Sequence, residues 1–363
     1  MSEETYRKLA KVLHTLPPGF PPTESGAEIK LLKKIFKPEE ADLFCSLRMT
    51  FETIEEIAER TGRPLEGLED RLNSMFDRGQ LRRINRGPGP VKAFALVPWA
   101  SGLYELQLDH VDEEFARLVA EIRQSTPGLT MSFKPQVWQS LPIEETIPIG
   151  HQVLPHQQIS AIIEKGKEFW VRECICKKTE GLLGRPCGKP TEVCLSIDPF
   201  PEILGEENRI SGRKINKEEA YALLDLAEKE GLVHMTANTE TDQYFICNCC
   251  GCCCGAIRGA KILGSEAAFN SFYYAEIDSE VCIDCGICKE ERCQVAAIEE
   301  SDSGFRIKKE QCIGCGLCIT ACPTEAIKLV AKNPDEIVKP LKTRADFWAE
   351  RARQRGVDFS AFQ

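Results

Sequence analysis

The chain has 363 residues, with 46 Lys plus Arg against 56 Asp plus Glu, a formal net charge of −10 and 19 cysteines. An acidic balance of this kind disfavours nucleic-acid coating, and no run approaches the roughly 20 apolar residues of a membrane-crossing helix; the best, Ala93 to Leu106, is broken by Pro98, Ser101 and Glu105. The opening MSEETYRKLAKVLHTLPP is charged throughout and has no apolar leader core, so a cytoplasmic chain is expected, its cysteines serving as ligands rather than disulfide partners.

From residue 26 the apolar spacing predicts helices over Ala27 to Phe36, Glu39 to Leu47, Thr53 to Thr61 and Leu65 to Arg78, with a threonine cap at Thr50 or Thr53. Gly62 and Gly79 sit just past two helix ends, where left-handed C-caps favour glycine. LRRINRGPGPVKAFALVPW then reads as two strands and a turn, and the whole pattern looks like a winged helix-turn-helix over residues 1–100. The helix that would enter a DNA groove, PLEGLEDRLNSMFDRG, carries Glu66, Glu69, Asp70 and Asp77 against Arg71 and Arg78, and only Arg82, Arg83 and Arg86 of the wing help. Protein docking is therefore expected there rather than DNA binding. Cys45 is expected to be a small buried hydrophobe.

Residues 101–157 read as a helical and extended connector: an amphipathic helix near Val111 to Ser125, then the proline-punctuated TPGLTMSFKPQVWQSLPIEETIPIGHQVLP, with no evident chemistry. His151 and His156 are expected as hydrogen-bonded residues at a surface or boundary.

Residues 158–270 form a cysteine-rich segment of two echoing halves. ISAIIEKGKEFWVRECIC reads as helix, strand and Cys174-x-Cys176; EEAYALLDLAEKEGLVHMTANTETDQYFICNC reads as a longer helix, a hairpin and Cys247-x-Cys249. Cys187 and Cys194 follow the first pair, and Cys250, Cys252, Cys253 and Cys254 follow the second. These ten thiols suffice for two cubanes, the simplest division giving Cys174, Cys176, Cys187 and Cys194 to one. Neighbouring side chains diverge in an extended backbone, so the six cysteines of 247–254 cannot all close on one cluster. Ligand exchange between the halves stays open, as does zinc at Cys174, Cys176, Cys187 and Cys194, since four thiolates suit zinc equally. His234 is expected to be satisfied in the core.

Near the C-terminus, Cys282, Cys285, Cys288 and Cys293 form C-x2-C-x2-C-x4-C, while Cys312, Cys315, Cys318 and Cys322, followed by Pro323, form C-x2-C-x2-C-x3-C-P. Small residues such as Gly286, Gly314 and Gly316 let each loop turn tightly, and EVCIDCGICKEERCQVAAIEE and EQCIGCGLCITACPTEAIKLV make an internal repeat. These residues resemble the bacterial two-cluster ferredoxin family over residues 271–330. The resemblance implies one [4Fe-4S] cluster on Cys282, Cys285, Cys288 and Cys322 and a second on Cys312, Cys315, Cys318 and Cys293. The first run departs from the pattern by its four-residue spacing before Cys293 and by Gln294 where proline is expected. Paired zinc knuckles are the alternative, but they do not require a third cysteine two residues on, in duplicate. From 276 to 330, eleven acidic side chains face six basic ones, which favours a basic docking partner. The tail, 331–363, contains RADFWAERARQRG, expected to dock as a helix through Phe347 and Trp348.

The CxC pair, CGKPTEVC and CNCCGCCC together look like a group of multi-cluster iron–sulfur proteins of anaerobic bacteria and archaea, over about residues 150–330. No G-x-G-x-x-G follows a strand and no P-loop is present, so no nucleotide or flavin site is recognised. The expected fold class is α+β: a winged-helix domain, a cysteine-rich iron–sulfur middle domain and a C-terminal ferredoxin-like dicluster domain. Two [4Fe-4S] clusters are expected in the last and one or two further iron–sulfur clusters in the middle. The expected function is electron transfer through three or four clusters in an anaerobic oxidoreductase complex, with a flavoprotein or other redox subunit as partner. Two alternatives remain: a redox-sensing winged-helix regulator, and a reductase using the 247–254 block as a substrate-binding cluster.

Overall fold

The computed structural model describes residues 2–86, 91–126, 131–148, 153–205, 207, 211–302 and 304–363. The expected turn at 87–90 and His151 lie outside the described residues. Among those described, no helix is long and apolar enough to cross a membrane.

The N-terminal part opens with a helix absent from the sequence reading, α1 (Ser2–Thr15), whose Tyr6, Leu9 and Leu13 recur at helical spacing and are buried. It packs on α2 (Ala27–Ile35) and α3 (Pro38–Phe44). Strand β1 (Glu52–Thr53) leads into α4 (Ile54–Thr61), then come α5 (Leu68–Asp77), β2 (Leu81–Asn85) and β3 (Lys92–Leu96). Thr53 is the cap: its hydroxyl accepts from the Glu56 amide at 3.3 Å and its amide donates to the Glu56 carboxylate at 2.8 Å, a reciprocal arrangement worth about 1 kcal/mol. The fourth predicted helix starts three residues late, at Leu68, because Gly67 turns left-handed at φ 71°. The sheet is antiparallel in the order β1-β3-β2. Helices α6 (Tyr104–Leu106) and α7 (Glu113–Ser125) complete the same apolar core, so part of the expected connector belongs to it. Cys45 is half-buried against this core, and burial pushes its thiol up to about 12.

The middle is built on one sheet. Its strands are β4 (Trp138–Ser140), β5 (Glu168–Glu173), β6 (Glu192–Asp198), β7 (Arg213–Ile215), β8 (Val233–Ala237), β9 (Phe245–Cys249) and β10 (Phe269–Asn270), ordered β10-β4-β8-β9-β6-β5-β7. All neighbours are antiparallel except β10 and β4. The interspersed helices are α8 (Ile159–Lys165), α9 (Ile175–Leu182), α10 (Pro201–Leu204), α11 (Lys217–Lys229), α12 (Gly255–Leu263) and α13 (Ser265–Ala268). His156 is buried rather than at a boundary, and among the described residues its Nε2 has no hydrogen-bond partner. His234 is buried with Nδ1 2.6 Å from Asn248 Oδ1.

The C-terminal part pairs β11 (Tyr273–Ile277) with β14 (Ile327–Ala331) and β12 (Ile298–Ser301) with β13 (Gly304–Ile307), both antiparallel. The tail helix α14 (Arg344–Arg355) docks through Phe347 and Trp348, as its apolar pair suggests. It also buries Arg351, whose Nη1 donates to the carbonyls of Phe133 at 2.7 Å and Pro135 at 2.8 Å.

Candidate metal centres

Two cavities open between the cysteine loops of the C-terminal part. One is lined by Cys282, Cys285, Cys288 and Cys322, the other by Cys293, Cys312, Cys315 and Cys318. The two ladders, β11 with β14 and β12 with β13, fold the repeat back on itself, which carries Cys293 and Cys322 each to the far side of the other run's loop. Gly314 makes the second loop possible: at φ +58°, a Cβ there would lie 2.3 Å from the Tyr273 carbonyl oxygen.

Amides point at the sulfurs, as an anionic centre needs. The Ala297 amide donates to Cys293 Sγ at 3.1 Å, and those of Ala275 and Gly314 to Cys312 Sγ at 3.4 and 3.5 Å. Burial pushes the Cys288 thiol up to about 11 and Cys315 up to about 12, so these groups ionise readily only beside a metal. At Cys322 burial acts the same way, but the amides of Thr324 and Ala326 outweigh it and hold the thiol below its ordinary value. No three of the eight sulfurs lie mutually within 4.8 Å, which leaves room for a cube whose ligand sulfurs stand roughly 6 Å apart. The residues present fit [4Fe-4S] clusters.

The ten middle cysteines fall into two sets, divided differently from the simplest reading of the sequence. Cys194 and Cys247 are directly paired across β6 and β9, and Cys247 and Cys249 share one face of β9 by strand alternation. Thiol–thiol interactions then link Cys176, Cys174, Cys194, Cys247, Cys249 and Cys254, in that order, as a string. Two of its members are helix caps, Cys174 before α9 and Cys254 before α12, so two helix N-termini place their positive ends beside these sulfurs.

Two residues from the segment read as plain connector reach this string. The Tyr104 hydroxyl donates to Cys176 Sγ at 3.8 Å, and Arg123 Nη2 lies 3.9 Å from the same sulfur. The guanidinium also sits over the Tyr104 ring, 4.9 Å from its centroid. Burial raises the Tyr104 phenol well above its ordinary value, so it keeps its proton and acts as a donor.

The remaining four, Cys187, Cys250, Cys252 and Cys253, have sulfurs all within 4.8 Å of one another. Cys249 and Cys250 diverge into different sets, as extended backbone requires; Cys252 and Cys253 converge because they occupy a turn.

Gln294, anomalous in the sequence, joins the parts. Its Oε1 accepts from the Gly251 amide at 2.8 Å, inside the cysteine block. Arg292 adds donations to the carbonyls of Lys229, Glu228 and Leu317. A single apolar core, with Ala256, Ile257, Val295, Ala297, Ile313 and Leu317, includes Cys249 and Cys254, and Cys247, Cys293, Cys312 and Cys315 pack against it.

Compared with known families, residues 275–329 match the 4Fe-4S dicluster domain. No curated protein and no solved structure gives a significant match to the chain. The C-terminal part is a dicluster ferredoxin domain within a mixed α+β protein, and it points to iron–sulfur electron transfer.

Proposed function

We propose that the chain is an electron-relay subunit of an anaerobic, cytoplasmic oxidoreductase complex, carrying electrons between a flavoprotein or other redox partner and an acceptor. Bound [4Fe-4S] clusters supply one-electron carriers. Cys282, Cys285, Cys288 and Cys322 hold one, Cys293, Cys312, Cys315 and Cys318 a second, and four thiols of the string from Cys176 to Cys254 a third. The observation that supports this reading is the apolar core shared by Cys247, Cys249 and Cys254 with Cys293, Cys312 and Cys315; a third centre on the former set would lie beside the second behind a water-excluding wall. Cys293, Cys312, Cys318, Cys288 and Cys322 likewise share a wall with Ile298 and Ile327, extending the path to the first centre.

The outer end of the path is near the surface. Cys285 is exposed, and Ile283 and Val281 beside it are 62% and 44% exposed among the acidic Glu280 and Asp284. An apolar tip ringed by acid suits a partner with a basic rim.

The N-terminal part serves in this reading as a winged-helix docking module rather than a DNA reader. Three of its basic side chains are engaged within the protein: Arg78 with Glu40, Arg86 with Glu56, and Arg83 with Asn73 and the Glu207 carbonyl. Helix α10 packs against β2, and Asn85 donates to Glu207 at 2.7 Å, so the wing strand already has a neighbour.

A second reading, a reductase binding substrate at the string, is favoured by two thiols beyond a cube's four and by the Tyr104 phenol at Cys176. Mixing the reduced full chain with an oxidised flavoprotein under anaerobic conditions tests the relay. Stoichiometric flavin reduction that slows with added salt supports it; a chain that keeps its electrons while its clusters stay intact refutes it.

A further inference from the structure

Four thiols can surround one ion or one corner-sharing cube, and the two differ in size. Zinc–sulfur bonds near 2.3 Å put the sulfurs of a tetrahedral site about 3.8 Å apart, whereas a cube holds them roughly 6 Å apart. The dicluster domain provides an internal ruler. Among its eight cysteines no three sulfurs come mutually within 4.8 Å. At Cys187, Cys250, Cys252 and Cys253 all four do, with separations of 4.0 Å for Cys187 to Cys250, 3.3 Å for Cys250 to Cys252 and 3.7 Å for Cys252 to Cys253. Among the described residues no other group of His, Cys, Asp or Glu donors is so compact.

A buried lysine stands beside this site. Lys177 is 3% exposed, its Nζ donates to the Pro190 carbonyl at 2.5 Å, and it interacts electrostatically with Cys250. No carboxylate pairs with it among the described residues, so four neutral thiols would leave a buried cation uncompensated. Four thiolates around a divalent ion carry a net charge of −2 and supply the missing partner.

We propose that Cys187, Cys250, Cys252 and Cys253 form a closed, four-coordinate site for a single zinc ion rather than a fourth cluster. The site is a clip. Cys187 lies in the loop between α9 and β6, 63 residues before Cys250 in the turn after β9. Binding releases the thiol protons and ties that loop to the turn whose Gly251 amide is held by Gln294. The assignment holds whether or not the chain relays electrons.

The test is elemental analysis of the full chain, produced and kept without oxygen and exposed to a mild chelator. About one zinc per chain is expected in the native protein. Cys252 is exposed, so its replacement leaves the core intact. Cys252→Ala should lose at least five-fold of the retained zinc, Cys252→His should keep it because zinc accepts three Cys and one His, and iron and sulfide should be equal in all three proteins. Cobalt substituted during expression should give the visible absorption of tetrahedral thiolate-bound cobalt, abolished in Cys187→Ser. Four fewer irons in Cys252→Ala, one iron without sulfide in place of zinc, or no zinc in the native chain would each overturn the assignment.

Discussion

The Tyr104 hydroxyl donates to Cys176 Sγ across 72 residues of sequence. A donor to a ligand sulfur stabilises the more negative, reduced state of a cluster, so it raises the reduction potential. Tyr104→Phe should lower the potential of the string's cluster by about 40 mV, the equivalent of roughly 1 kcal/mol in a one-electron couple, and leave the dicluster potentials in place. Anaerobic potentiometry followed by EPR reads this; an unchanged potential would mean that the phenol does not act on the cluster.

Cys293 lines the cavity of the run that follows it, not of the run that contains it. Cys293→Ser should perturb the EPR signal of the cluster on Cys312, Cys315 and Cys318 and spare the one that includes Cys322. The opposite pattern would show that the runs do not exchange their fourth ligands.

The seam between the middle and the dicluster domain is tight at Gly251. A Cβ there would lie 2.4 Å from the Gln294 carbonyl oxygen and 2.6 Å from Lys261 Nζ, so Gly251→Ala should destabilise the chain by about 1–3 kcal/mol. Gln294→Ala, which removes the hydrogen bond from the Gly251 amide and the longer one to the Arg292 carbonyl without adding bulk, should cost about 1–2 kcal/mol. Denaturant unfolding under anaerobic conditions measures both, and equal stability of Gly251→Ala and the parent would contradict the close approach.

Burial holds the His156 imidazole below its ordinary value, with Glu240 opposing and Lys165 adding to the effect. The unfolded chain therefore binds more protons at this residue, and its stabilising contribution is complete above about pH 6.5 and is lost as the pH falls below that. His156→Phe should narrow the stability difference between about pH 7.5 and about pH 6. A difference as large in the variant as in the parent would place the titration elsewhere.

Local chemistry was the legible part of the sequence. The spacing of the last eight cysteines carries the two-cluster character because each ligand loop is only a few residues long, and the Thr53 cap and the helix ends at Gly62 and Gly79 are local for the same reason. What escaped depends on contacts between distant residues. Tyr104 and Arg123 gain their meaning only when α6 and α7 pack beside α9, and nothing near them in sequence marks a neighbouring thiol. The division of the ten middle cysteines follows from the Cys194–Cys247 register and from the turn at Cys252 and Cys253, neither of which spacing reveals. In α1 the dense charges masked the buried spacing of Tyr6, Leu9 and Leu13.

The central claim is that three clusters form one relay, and the most direct measurement combines metal analysis with coulometric reduction of the anaerobic full chain. The account predicts about twelve irons with matching sulfide and about three electrons taken up per chain. About eight irons and about two electrons would contradict it, confining the redox chemistry to the dicluster domain.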